Sequence, residues 1–148
     1  MERVGPAAWI IARPSGEAMD RARGLFDRLV ALAGAGRPVV PHLTIELVYP
    51  PLPGIPRLSR GVRAVALHTA SFRVEALDAY DRTGNLTLGL AATDELLALR
   101  RAVARAIVEA GGAPHSAPHP NSARHPMEEW DPHLSVAPLP AAPSRARL

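Results

Sequence analysis

Pro41-His42-Leu43-Thr44-Ile45 and Pro132-His133-Leu134-Ser135-Val136 are two copies of one short pattern, a proline, a histidine, a leucine, a hydroxyl residue and an aliphatic residue. For a chain of this composition a chance second match is on the order of one in a thousand, so coincidence explains it poorly. Residues two apart on a strand share a face, so the pattern predicts His42 and Thr44 on one side of a strand, with Leu43, Ile45 and Leu47 turned into a core. His133 and Ser135 repeat the arrangement, backed by Leu134 and Val136. Proline has no amide donor and is tolerated at a strand's first residue, so Pro41 and Pro132 mark where each strand begins. If the two strands face a common cleft, two imidazoles and two hydroxyls converge. The bland alternative is two unrelated strands in which each histidine fills a satisfied polar niche.

The segments around these copies alternate between strand and helix signals. Ala7 to Arg13 is a short apolar run between Gly5-Pro6 and Pro14, read as a buried strand with Trp9 in the core. Ser15 is placed to cap a helix that keeps apolar residues at helical spacing from Met19 to Ala33 and stops at Gly34. Val39 to Tyr49 reads as the first motif strand, ended by Pro50-Pro51-Leu52-Pro53-Gly54 before a weaker helix over 57–67. Arg57, Arg60 and Arg63 on that helix read as a solvated face. Ser71 to Tyr80 and Asn85 to Ala92 form a hairpin across Asp81-Arg82-Thr83-Gly84. Thr93 caps the clearest helix, with Leu96, Leu99, Val103 and Ile107 on one face, Arg100, Arg101 and Arg105 off it, and Gly111-Gly112 at its end. Ala113 to Glu129 reads as an irregular loop, Asp131 to Leu139 as the last strand, and 140–148 as a frayed tail.

Composition narrows the chemistry. The 148 residues are 47% apolar and 21% charged, an ordinary globular balance for one domain spanning 1–148 with a core over about 7–139. The absence of Cys excludes disulfides, thiolate metal sites and a cysteine nucleophile. All 17 basic residues are Arg, so an amine-dependent Schiff base and a Walker-type phosphate loop are excluded too. The net charge of +3 is too small to mark a DNA-packaging protein. No apolar run approaches the roughly 20 residues of a membrane span, and no secretory signal is recognisable, so a soluble cytoplasmic protein without a membrane partner is expected.

Paired imidazoles suit phosphodiester chemistry. Imidazole titrates at about 6.5, so near neutrality one ring can take a proton from an attacking oxygen while the other, protonated, supplies one to the leaving oxygen. Hydroxyls beside them can donate hydrogen bonds to phosphoryl oxygens. The chemistry needs no metal and no cofactor.

His42-Leu43-Thr44 and His133-Leu134-Ser135 resemble the paired His-x-Thr/Ser motifs of the two-histidine (2H) phosphoesterase superfamily, which includes the 2'-5' RNA ligase-like proteins and RNA 2',3'-cyclic phosphodiesterases. The resemblance runs from about Ala7 to Leu139 and extends to the order of elements. It implies an α+β, bilobal fold: two small, mainly antiparallel sheets, helices packed outside, and a central cleft holding the motif residues. It implies a metal-independent enzyme acting on nucleotides or RNA with a cyclic or 2'-5' phosphodiester. His42 and His133 would be the acid/base pair, with Thr44 and Ser135 holding the phosphate. Hydrolysis of 2',3'-cyclic phosphates is the leading expectation. The alternatives are a 2'-5' RNA ligase, an esterase for another small cyclic phosphate, and a non-catalytic module that binds RNA ends. Two features of the motif segments depart from the family's pattern. Ala137-Pro138 follow the second motif where ligase-like members often carry a basic residue, and Glu46 stands where relatives are more often apolar. Glu46 is read as a residue of the wet rim. The chain runs only to Leu148, so a reduced second lobe is expected.

Further candidates are weaker. His115, His119 and His125 match no metal-ligand spacing, and the prolines around them point to a surface loop, so no metal site is expected. Arg124 on that loop could reach a substrate phosphate. Tyr49, Tyr80 and Trp130 could stack a base, with Trp130 favoured because it precedes the second motif. With six aromatic residues in the whole chain, packing is the competing role for each. His68 is read as a helix-end residue near the last carbonyls.

Overall fold

The computed structural model describes residues 5–116 and 130–140. Its elements run β1 (Ala8–Ala12), α1 (Glu17–Ala33), β2 (Leu43–Tyr49), α2 (Ile55–Leu67), β3 (Ala76–Arg82), β4 (Asn85–Leu90), α3 (Asp94–Glu109), β5 (Ala113–Pro114) and β6 (His133–Pro138). They form two three-stranded sheets, β1-β2-β5 and β3-β4-β6. The α+β class and the two small sheets agree with the sequence expectation. β5 is the element that the sequence did not announce.

The chain divides into two compact units. The first takes in nearly all of β1, β2 from Thr44, and α2, α3 and β5. α3 begins as its capping residue dictates, with the Leu96 amide donating to Thr93 Oγ1 at 3.3 Å. It carries Leu96, Val103 and Ile107 into the core against α2, where Gly61 lets the two helices approach at Ala106. The short β5 exists because β2 offers it an edge, pairing antiparallel as Val48 with Pro114 and Tyr49 with Ala113. Trp9 departs from expectation. β1 alternates between half-buried and exposed positions, and Trp9 points outward at 59% exposure.

The second unit contains α1, the segment leading into β2, and the β3-β4-β6 sheet. α1 ends at Gly34, whose positive φ of 62° and amide bond to the Val30 carbonyl close the last turn. Its start differs from the reading of Ser15. The capping position is Gly16, with no side-chain bond, and the Ser15 carbonyl accepts from the Ala18 amide instead. Phe26 is the buried contact of α1, and Leu86, Leu88, Leu90, Leu134 and Val136 form the sheet's apolar face. The hairpin is tight. Thr83 and Gly84 are its two turn residues, both with positive φ, the type that matches the right-handed twist of its strands.

Candidate active site

In the second unit, β6 carries His133 and Ser135 into register with β4. Gly89 lies opposite His133 and Thr87 opposite Ser135, with Tyr80 of β3 opposite Thr87 in turn. Residues facing one another across antiparallel strands share a face, so these five side-chain positions line one side of the sheet while Leu134 and Val136 are buried. A register irregularity between Leu86 and Thr87 brings Ser135 onto Thr87. Thr87 is buried, and its hydroxyl donates to the Asn85 carbonyl at 3.1 Å. Gly89 keeps its position clear. A Cβ there would come within 2.6 Å of Asp78 Oδ1 and 3.4 Å of the Tyr80 ring. The Tyr80 hydroxyl is buried and finds no hydrogen-bond partner among the described residues, while the residue as a whole is half-buried.

The first motif is approached along the other edge of β6. The Gly36 amide donates to the Pro138 carbonyl and the Val39 amide to the Val136 carbonyl, both at 2.8 Å. The two segments therefore run antiparallel where these bonds form; in sequence, His42 lies three residues after Val39 and His133 three residues before Val136. His42 precedes β2, and its Nδ1 lies 2.8 Å from the Val40 carbonyl. A carbonyl only accepts, so Nδ1 donates and carries the proton. His133 Nδ1 faces Arg82 Nη1 at 3.3 Å.

In the first unit, Thr44 is half-buried between buried Leu43 and Ile45, the alternation that the strand pattern predicts. Glu46 breaks that pattern and corrects the rim reading. It is 1% exposed, and Arg100, set off the buried face of α3 by its charge, is 3% exposed. They explain each other. Arg100 Nε lies 3.4 Å from Glu46 Oε2, Ser116 Oγ donates to the same oxygen at 2.7 Å, and the Leu47 amide donates to Oε1 at 3.1 Å. The guanidinium also stacks on Trp130, 4.7 Å from the ring centre. Arg100 thus covers one face of the Trp130 ring.

Tyr49 is also committed. It is buried, its ring stacks on His115 at 5.7 Å, and its hydroxyl lies 2.9 Å from His115 Nδ1. His68 caps α2, its Nδ1 donating to the Ala64 carbonyl at 2.8 Å. Arg124, His119 and His125 lie outside the described residues, as does the tail from 141 on. Sequence reading missed Arg82, Thr87 and Gly89. The one available signal was the Thr-Leu-Gly-Leu order of β4, in which a glycine inside a strand marks a close approach.

Comparison with known proteins bears on the fold and the family. No protein with a curated description matches the chain. Among solved structures, the crystal structure of the MHV ns2 PDE domain superposes with a TM-score of 0.69 at 12% identity, covering 93% of this chain and 86% of that one. That likeness shows a shared fold. The sequence model of the 2'-5' RNA ligase superfamily matches residues 12–148, and the chain belongs to that superfamily.

Proposed function

We propose that the chain is a metal-independent phosphodiesterase that opens 2',3'-cyclic phosphates on nucleotides or RNA ends, with His42 and His133 as its acid/base pair. The observation that carries this reading is the antiparallel run of Gly36 and Val39 along β6, with His42 three residues after Val39 and His133 three residues before Val136. In this mechanism water attacks phosphorus in line with the departing ribose oxygen. One neutral imidazole takes the water's proton, and the other, as imidazolium, gives a proton to the leaving oxygen. One ring gains what the other loses, and exchange with solvent resets the pair. Thr44 and Ser135 donate hydrogen bonds to the phosphoryl oxygens, where charge accumulates. Superfamily membership supports a phosphoester substrate. With a ribose hydroxyl in place of water as the nucleophile, the same two proton transfers open the 2',3'-cyclic end while the new phosphodiester bond forms, which is the ligase alternative.

The test is turnover of 2',3'-cyclic nucleotides and of a cyclic-phosphate-ended oligonucleotide in EDTA. Hydrolysis that survives chelation supports the reading. Activity that appears only with a divalent metal contradicts it, and tight RNA-end binding without turnover would favour the binding module.

A further inference from the structure

Trp9 and Ile11 are exposed on β1, two residues apart and therefore on one face of the strand. Their place in the sheet follows from the ladder. β1 lies at the sheet's edge beside β2, and the Ala7 amide donates to the Val48 carbonyl at 2.7 Å. The start of β1 thus meets the end of β2. In the parallel sense residues 8–12 would run on past Tyr49, where β2 stops, so the two strands are antiparallel. In such a ladder a bonded amide and carbonyl belong to residues directly opposite each other. Counting from Ala7 and Val48, Trp9 stands opposite Glu46, Ile11 opposite Thr44, and Ala12 opposite Leu43, where β1 ends and β2 begins. Burial follows the same register. Half-buried Ile10 and Ala12 face buried Ile45 and Leu43, whereas exposed Trp9 and Ile11 share the face of half-buried Thr44.

We propose that Trp9 is the platform on which the base of the nucleotide stacks while Thr44 holds its phosphate. This inference rests on the reading of Thr44 given above. Trp9 is the diagonal cross-strand neighbour of Thr44, and such neighbours lie about 7–8 Å apart, a separation that a single ribose bridges. Ile11, directly across from Thr44, lays an apolar side chain beneath the sugar. Among the described residues Trp9 is the one exposed aromatic. Tyr49 is stacked on His115, and one face of Trp130 is covered by Arg100. Glu46, opposite Trp9, does not compete for the substrate, because its carboxylate is held by Arg100, Ser116 and the Leu47 amide. An indole offers a large rigid face with only two torsions to order. Every base has a π-face, so stacking accepts purines and pyrimidines alike. The substrate class is therefore a nucleoside cyclic phosphate of any base, in preference to a cyclic phosphate without one.

The experiment compares wild type, Trp9→Ala and Trp9→Phe on adenosine 2',3'-cyclic phosphate and on a base-less analogue, methyl riboside 2',3'-cyclic phosphate. Each protein is also titrated with adenosine 3'-monophosphate, followed by tryptophan emission and by calorimetry. The wild type should have the lower KM for the adenosine compound. Trp9→Ala should raise that KM about tenfold, with kcat within about twofold and the KM for the analogue unmoved. Trp9→Phe, which keeps a ring, should recover most of the loss. The nucleotide should quench emission in the wild type, and in Trp9→Phe the quenching should vanish while calorimetry still records binding. Equal wild-type KM values for the two substrates, a Trp9→Ala loss shared by both, or quenching that persists in Trp9→Phe would each overturn the proposal. So would a wild-type dimer that sediments as a monomer in Trp9→Ala, which would give this face to a second copy of the chain. If the wild type turns over neither substrate, the phosphodiesterase reading fails, while the titration still decides whether Trp9 stacks the base.

Discussion

Glu46 and Arg100 meet inside the first unit, Nε to Oε2 at 3.4 Å, with both side chains closed off from solvent. A buried carboxylate and guanidinium are each costly alone, and each is tolerable because the other is present. Glu46→Ala, which leaves Arg100 buried without its counter-charge, should lower unfolding stability by about 3–5 kcal/mol. The double variant Glu46→Leu/Arg100→Met should recover most of that loss. Urea denaturation of both proteins checks the pair, and a single variant within about 0.5 kcal/mol of wild type would show that the ion pair does not hold this core.

The cap of α3 gives a smaller effect in the same assay. Thr93 Oγ1 accepts from the Leu96 amide, and Thr93→Ala should cost about 1 kcal/mol, with Thr93→Ser close to neutral. Equal losses in both variants would mean that the hydroxyl contributes little.

Ser135 stands opposite buried Thr87, on the face that also carries His133. As a donor to phosphoryl oxygen, its hydroxyl should matter more in the transition state than in substrate binding. Ser135→Ala should lower kcat about 10²-fold with little change in KM, and Ser135→Thr should retain most of the activity. Steady-state kinetics on a 2',3'-cyclic nucleotide decides it. A change confined to KM would assign Ser135 to uniform binding instead.

One imidazole must be neutral and its companion charged for each turnover, so kcat/KM should trace a bell with pH. The acid limb reports protonation of the base, and the alkaline limb reports loss of the acid's proton. The profile should be the same with and without EDTA. A single-sided profile would leave one histidine without a proton-transfer role.

The elements readable from the chain were those written locally. The strand alternation of Leu43-Thr44-Ile45, the capping threonine of α3 and the Thr83-Gly84 turn each carry their own instruction over a few residues, and the structure follows them. The failures are non-local. β5 is two residues long and exists through its pairing with Val48 and Tyr49 of β2. Arg100 and Glu46 read as surface charges because periodicity assigns charge to the wet side, and only their meeting across 54 positions of sequence makes burial possible. Trp9 read as core because it sits in an apolar run, yet alternation in β1 turns it outward. For the candidate site, both histidines and both hydroxyls are proposed from the doubled motif. Arg82 escaped notice because its link to His133 spans two strand pairings, which no short window contains.

The central claim is that His42 and His133 act on one phosphate. Single-turnover rates of wild type, His42→Ala, His133→Ala and the double variant on a 2',3'-cyclic nucleotide test it most directly. Groups that work as a unit lose their effect together, so each single variant should fall by about 10²–10⁴-fold and the double variant should be hardly slower than either. Losses that multiply in the double variant, or a single variant that keeps wild-type speed, would contradict a shared site.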